Sequence, residues 1–182
     1  MKSGLILITG PKHSGKSRTA RALAKNTGGE AVDLDGIVEK QTGKRVRALF
    51  MEGPEIFRQA EARALATLIE PMESNIRFIA AGGGLVDNPQ AMALLSQSKE
   101  IIIIYLDVTP ETAWKRIQHA AADGELPPFL ATENPRETHL ALHERRAKAY
   151  KALAHFMVSA ENKSPHEIAL EIIEYTKLPA SL

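Results

Sequence analysis

The sequence predicts a three-layer α/β/α fold around a five-stranded parallel sheet. Three observations carry that expectation. Short apolar runs alternate with helical stretches along the whole chain. Glycine or acid clusters close those runs. A glycine loop follows the first run and opens the first helix.

The elements follow in order. Gly4-Leu5-Ile6-Leu7-Ile8-Thr9 is short, apolar and branched, so it reads as a buried strand. Gly10 to Gly15 is a loop, and Lys16 to Lys25 is helical, with Ala20, Leu23 and Ala24 on one face. Ala31 to Asp35 reads as a second strand ending in acids. Residues 36 to 71 are helical pieces, broken near Gly43 and at Gly53-Pro54 and closed by Pro71. Arg77 to Ala81 is a third strand running into Gly82-Gly83-Gly84, and Pro89 to Ser96 is a short helix. Glu100 to Asp107 is the fourth strand and the most apolar. Thr109 as N-cap, with Pro110 at the first helical position, starts a helix that runs to about Ala121. Asp123 to Pro135 contains three prolines and a glycine and reads as a loop. Arg136 to Ala154 is a helix, and Phe156 to Ser159 is a fifth short strand. Ser164 and Glu167 form a capping box that starts the last helix, which ends near Lys177.

A length of 182 residues suits one domain, here residues 1–182. Basic and acidic side chains number 23 and 22, giving a net charge of +1, so neither nucleic acid nor an anionic membrane is the expected partner. The chain has no cysteine, which excludes disulfides and thiolate zinc sites and fits a reducing cytosol. Leu5 to Ile8 is too short for a signal-peptide core, and Ile101 to Leu106 is far short of a membrane span. A cytoplasmic location and a monomeric state are the expectations.

Gly10-Pro11-Lys12-His13-Ser14-Gly15-Lys16-Ser17 matches G-x-x-x-x-G-K-[ST] in full. Glycines at those positions let backbone N–H groups turn inward toward phosphate, and the following helix adds its positive N-terminal end. Lys16 would neutralise the β- and γ-phosphates, and Ser17 would hold Mg²⁺. Strand before and helix after make this a nucleotide site rather than a plain glycine turn.

Other clusters sit at strand ends, where ligands bind in parallel sheets. Asp33 and Asp35 are two apart and would share a face of an extended chain. One could hold Mg²⁺ through water while the other takes a hydroxyl proton; a solvated turn is the equal alternative. Arg58 and Glu61 are neighbours on a helix, where a surface ion pair is the plainer reading. Gly82-Gly83-Gly84 allows backbone to approach a ligand closely. Asp107 resembles a metal-binding acid after an apolar strand but also precedes a helix cap. His139 and His143, at i and i+4, read as helix surface. Trp114 and the scattered aromatics make no stacking platform for bases.

Taken together these residues resemble the shikimate kinase family over nearly the whole chain. That family has a P-loop, an Asp-x-Asp pair, Phe-Arg-x-x-Glu, Gly-Gly-Gly, a lid, and Arg-x-x-x-Tyr. Here stand Gly10–Ser17, Asp33-Leu34-Asp35, Phe57-Arg58-Gln59-Ala60-Glu61, Gly82-Gly83-Gly84 and Arg146-Ala147-Lys148-Ala149-Tyr150. The resemblance implies a P-loop kinase fold with a substrate region over 35–63 and a lid over 123–135. It implies transfer of the γ-phosphoryl of ATP to a small carboxylic acid, shikimate becoming shikimate 3-phosphate. ATP would lie on Gly10, Lys12, His13, Ser14, Gly15, Lys16 and Ser17, with Arg116 against adenine. Ser17 and Asp33 would hold Mg²⁺. Asp35 would meet the substrate hydroxyl and act as base beside Lys16. Arg58, Gly82, Gly83, Gly84 and Arg146 would bind substrate, both arginines near its carboxylate. The family places no metal on the acid after the fourth strand, which demotes Asp107.

The chain departs from the pattern in the lid. Pro127-Pro128-Phe129-Leu130 stands where the family has Arg-Pro-Leu-Leu, whose arginine reaches the transferring phosphate. Arg136, at the lid's far edge, is a candidate substitute. Pro54 and Leu49 also differ from the family pattern. Two alternatives follow: a paralogue acting on another hydroxy or sugar acid, or a nucleotide-binding regulatory protein with weak transfer.

Overall fold

The structure, a computed structural model, describes residues 4–70, 75–98, 100–121 and 126–178. In chain order the elements are β1 (Gly4–Thr9), α1 (Lys16–Thr27), β2 (Glu30–Asp33), α2 (Leu34–Thr42), α3 (Val46–Glu52), α4 (Pro54–Ile69), β3 (Ile76–Ala80), α5 (Pro89–Gln97), β4 (Ile101–Asp107), α6 (Pro110–Ala121), α7 (Pro135–Leu153), β5 (Phe156–Ser159) and α8 (Pro165–Thr176). Single 3₁₀ turns lie at Leu85–Asp87 and Pro128–Leu130.

The strands form one five-stranded sheet in the order β2-β3-β1-β4-β5. All pairings are parallel; β1 aligns Ile6 with Phe78 on one side and with Ile102 on the other. The central strand is therefore the one followed by the glycine loop. Side chains of β1 alternate between the two faces of the sheet. Ile6 and Ile8 join a core with α1 and α8, while Leu7 joins a second core with α2, α4 and α5. Strands covered on both faces read as continuous apolar runs, which is why β1 and β4 were so legible.

Three expectations change. The second strand ends at Asp33, and Asp35 lies in the first turn of α2 rather than in extended chain. The cause is local: the Asp33 carboxylate accepts a hydrogen bond from the Asp35 N–H at 3.2 Å and caps the helix. The two acids are thus brought together by a cap, not by strand periodicity. The expected 123–135 loop contains a 3₁₀ turn and yields Pro135 to the first position of α7; its residues 123–125 lie outside the described residues, as does Pro71.

The third change concerns the histidines. His139 and His143 are not helix surface but are only 4% and 7% exposed. The His139 ring lies 5.4 Å from the Trp114 ring and 5.7 Å from the His143 ring, and its Nε2 sits 3.0 Å from the Pro110 carbonyl oxygen. With Tyr150 they form the buried side of α7, against α6 and β4. A helix with charges on its other sides hides such a stripe when the stripe itself is polar.

Candidate active site

The site occupies the carboxyl end of the sheet, in a cleft of about 720 Å³. One end is built by the loop after β1. Gly10 has φ +144°, and a Cβ there would lie 2.6 Å from the Leu106 carbonyl oxygen, so the tight exit from the sheet requires glycine. Lys16 is 8% exposed and folds back over its own loop, donating to the carbonyl oxygens of Gly10 at 3.1 Å and Pro11 at 2.8 Å. Burial lowers its pKa to about 8, against the opposing pull of Asp35. Arg116 spans the rim, donating to the His13 carbonyl at 3.2 Å and to the Ala160 carbonyl at 3.2 Å. Ser14 is buried behind the loop, and His13 takes the left-handed conformation, with φ +61°.

Next along the cleft, the Ser17 hydroxyl donates to Asp33 Oδ2 at 2.6 Å. Two hard oxygen donors from different elements are thus held side by side. Among the described residues, no group of three or more His, Cys, Asp or Glu side chains could hold a metal. A magnesium ion at Ser17 and Asp33 would therefore draw its other ligands from water and phosphate, as that ion commonly does.

The other end is assembled from distant segments. Asp35 Oδ1 is buried without a hydrogen-bond partner among the described residues. Burial and then the Asp33 charge push the Asp35 pKa up, while Lys12 and Lys16 pull it back. Glu61, on α4, is 1% exposed; its Oε2 accepts from Asn88 Nδ2 at 2.9 Å, and its Oε1 is also without a partner. Burial lifts the Glu61 pKa to about 7. Both unpaired oxygens face Gly82: a Cβ there would lie 2.9 Å from Glu61 Oε1 and 3.1 Å from Asp35 Oδ1.

The rest of the glycine triplet is also tied down. The Tyr150 hydroxyl donates to the Gly83 carbonyl oxygen at 2.5 Å. A Cβ on Gly83 would lie 3.0 Å from Lys12 N, and one on Gly84 would lie 3.3 Å from Arg146 Nη2. Arg146 itself is gripped by Asp87, through Nε at 2.8 Å and Nη2 at 2.7 Å, with the Phe129 ring 5.4 Å from its Cζ. Arg145 binds the same carboxylate with both of its terminal nitrogens. Burial pushes the Asp87 carboxyl upward, but the two arginines outweigh it and hold its pKa below the usual value.

The structure therefore brings together Lys16, Ser17, Asp33, Asp35 and the glycine triplet, and places Arg146 against the triplet's last residue. Arg58 stands apart from Glu61: it pairs with Glu55 at 3.4 Å, while Asn88 takes both the Glu61 carboxylate and the Arg58 carbonyl. Asp107 Oδ1 accepts a hydrogen bond from the Tyr105 hydroxyl at 2.7 Å. Arg136 is exposed in the first turn of α7. Asp87 and Asn88 were not expected. Their only sequence signal is Asn88-Pro89, an N-cap followed by a first-position proline, and Asn88 does accept from the Ala91 N–H at 3.2 Å.

Comparison with known proteins follows the same outline. The family model described as shikimate kinase matches residues 12–177. The chain belongs to the shikimate kinase family. The match starts inside the phosphate loop and ends just past α8, so it takes in nearly every element of the cleft. A shikimate kinase of Thermobifida fusca is 34% identical over 178 residues, covering 97% of this chain and 96% of that protein. One from Actinobacillus pleuropneumoniae is 32% identical over 170 residues, covering 93% of each. The structure of the Acinetobacter baumannii shikimate kinase in complex with shikimate superposes with a TM-score of 0.84 at 26% identity, covering 97% of this chain and 94% of that one. As a shikimate kinase family member, the chain is a phosphotransferase. No described helix is long and apolar enough to cross a membrane.

Proposed function

We propose that this chain transfers the γ-phosphoryl group of MgATP to a hydroxyl of shikimate, giving shikimate 3-phosphate. The observation that carries the reading is the unpaired, buried Asp35 oxygen facing the glycine triplet in the same cleft as Lys16. A base poised beside a phosphate cradle is what transfer to a hydroxyl requires.

ATP lies along Gly10, Lys12, His13, Ser14, Gly15, Lys16 and Ser17, with adenine against Arg116. Lys16 leaves the Gly10 and Pro11 carbonyls and turns its charge onto the β- and γ-phosphates. Ser17 and Asp33 would hold Mg²⁺, which when bound would neutralise charge on the phosphate oxygens. Asp35 accepts the proton of the attacking hydroxyl; its raised pKa favours keeping that proton. Gly82, Gly83 and Gly84 let backbone lie against the substrate ring. Arg146 offers the remainder of its fork to the substrate carboxylate, and Arg58 reaches the same group from α4 by leaving Glu55. The described part of the expected lid, residues 126–135, would close over the cleft and exclude water.

Initial rates of ADP release with MgATP and shikimate, with the product identified by NMR, test this. Turnover that vanishes in Lys16→Ala and in Arg146→Ala is the expected result. One observation favours a second reading. Asp87 already neutralises Arg146, so an acceptor less dependent on that arginine, another hydroxy or sugar acid, fits the pocket. Turnover with such an acid and none with shikimate would replace the first reading. Tight ATP binding without turnover on any acid would leave a nucleotide-binding regulatory protein.

A further inference from the structure

Phosphoryl transfer needs positive charge on the equatorial oxygens of the group in flight. The cations given roles above at the junction of the two ends, Lys12 aside, all have partners in this structure, and Lys16, Arg146 and Arg58 are already assigned to the β- and γ-phosphates or to the substrate carboxylate. Lys16 is folded onto its loop, Arg146 is held by Asp87, Arg116 spans two carbonyls and Arg58 pairs with Glu55. Residues 126–130, which supply Phe129 to the smaller cavity beside Arg146, carry no charged side chain. Lys12 differs from all of these. Among the described residues it has no hydrogen bond or ion pair.

Its position is specific. The Lys12 backbone lies against Gly83, where an added Cβ would be only 3.0 Å from Lys12 N. Its side chain borders both the main cleft and the smaller cavity under Phe129 and Arg146. Its charge is close enough to act on both Asp35 and Lys16. Lys12 is thus part of the phosphate loop and also lies against the glycine triplet that faces Asp35. A lysine has a compact charge on a four-carbon stem and can follow a group that moves between those two points.

We propose that Lys12 Nζ is a catalytic cation that binds the transferring phosphoryl group, supplied by the phosphate loop itself. The proposal rests on the phosphoryl-transfer reading above. The hydroxyl oxygen bonds to the γ-phosphorus. The bond from that phosphorus to the β–γ bridging oxygen breaks, and its electron pair leaves with ADP. The hydroxyl proton passes to Asp35. Lys12 keeps its own proton throughout and holds an equatorial oxygen, gaining contact as charge builds there.

The test compares Lys12→Met, Lys12→Gln and Lys12→Arg with the unaltered chain. Three readouts are taken: kcat with shikimate, the slow hydrolysis of MgATP without it, and the equilibrium Kd for MgATP by calorimetry. Lys12 is exposed, so melting temperatures should stay level. A contact made mainly in the transition state lowers kcat by about 10²-fold in Lys12→Met and Lys12→Gln. The Kd should change by no more than about threefold, and Lys12→Arg should stay within about tenfold of the unaltered kcat. Hydrolysis should fall about tenfold or more, because the same oxygens carry charge when water attacks. Unchanged rates in Lys12→Met, or a loss confined to the Kd, would overturn the assignment. Absence of turnover with shikimate in the unaltered chain would sink the substrate reading, and the hydrolysis arm would still decide the role of Lys12.

Discussion

At the nucleotide end, residues 10–17 supply backbone, lysine and hydroxyl within a single turn of chain. At the acceptor end, comparable chemistry takes Asp35 from α2, Glu61 from α4, the triplet after β3, Asp87 beyond it and Arg146 from α7. The first is held by its own carbonyls, as Lys16 shows. The second is held by side-chain contacts: Arg146 and Arg145 on one Asp87, and Glu61 on Asn88. A cradle made of contiguous backbone tolerates change around it. A pocket made of converging side chains depends on each of its supports.

That contrast can be broken or sharpened in order of expected effect. Lys16→Ala strikes the shared point. It should lower turnover by on the order of 10³-fold or more and also weaken MgATP binding. ADP release and calorimetry measure both, and retained turnover would mean the two ends are not joined through this lysine. Gly82→Ala should separate them. Its methyl would press on the two unpaired carboxylate oxygens at 2.9 and 3.1 Å, so kcat should fall by about 10²-fold through misplacement of the base. Affinity for MgATP should stay near normal; a parallel loss of nucleotide binding would blur the division.

Asp87→Asn is a finer cut. The substitution keeps the shape but loses the charge that grips Arg146 and Arg145. The KM for shikimate should rise about tenfold, roughly 1.4 kcal/mol, with kcat within a few-fold of normal. A lower KM would show Asp87 to be a competitor of the substrate carboxylate rather than its organiser.

Glu61→Gln has the smallest effect on rate and shows itself in stability. In the unfolded chain Glu61 releases its proton near its ordinary value of 4.5, whereas burial holds the proton to about 7 in the fold. Between those values the folded protein binds more protons than the unfolded chain, so stability declines as pH rises through that window and then levels. Glutamine stays neutral and still accepts from Asn88. The variant should lack that decline and, at pH 8, be more stable by roughly 3 kcal/mol. Denaturant titrations at pH 5 and pH 8 would show it, and parallel curves for the two proteins would argue that Glu61 ionises normally.

How much was legible follows the same division. The phosphate loop, the strands and several caps could be read because each depends on neighbours in sequence: a glycine conformation, a short continuous apolar run, a Ser164–Glu167 box. Asp33 and Asp35 were found as a pair for an incomplete reason, since a cap rather than strand spacing joins them. His139 and His143 were misplaced because i, i+4 spacing gives a face without saying what covers it. Asp87 and Asn88 drew no notice, since their partners lie 58 and 59 residues away for Asp87, and 27 and 30 for Asn88.

The sequence by itself determined a parallel α/β sheet, a phosphate cradle at the end of its first strand, and the acids and arginines that make a kinase of this family. Those features need only local backbone geometry and the chemistry of each residue type. Tertiary structure alone decided which charges are spent and which are available. Arg146 is latched, Arg58 is turned aside, Glu61 keeps its proton to about pH 7, and Lys12 is left without a hydrogen bond or ion pair among the described residues, at the edge of the cleft. A side chain's charge is written in its sequence, but the partner and the burial that set its energy come from segments that only folding brings within reach.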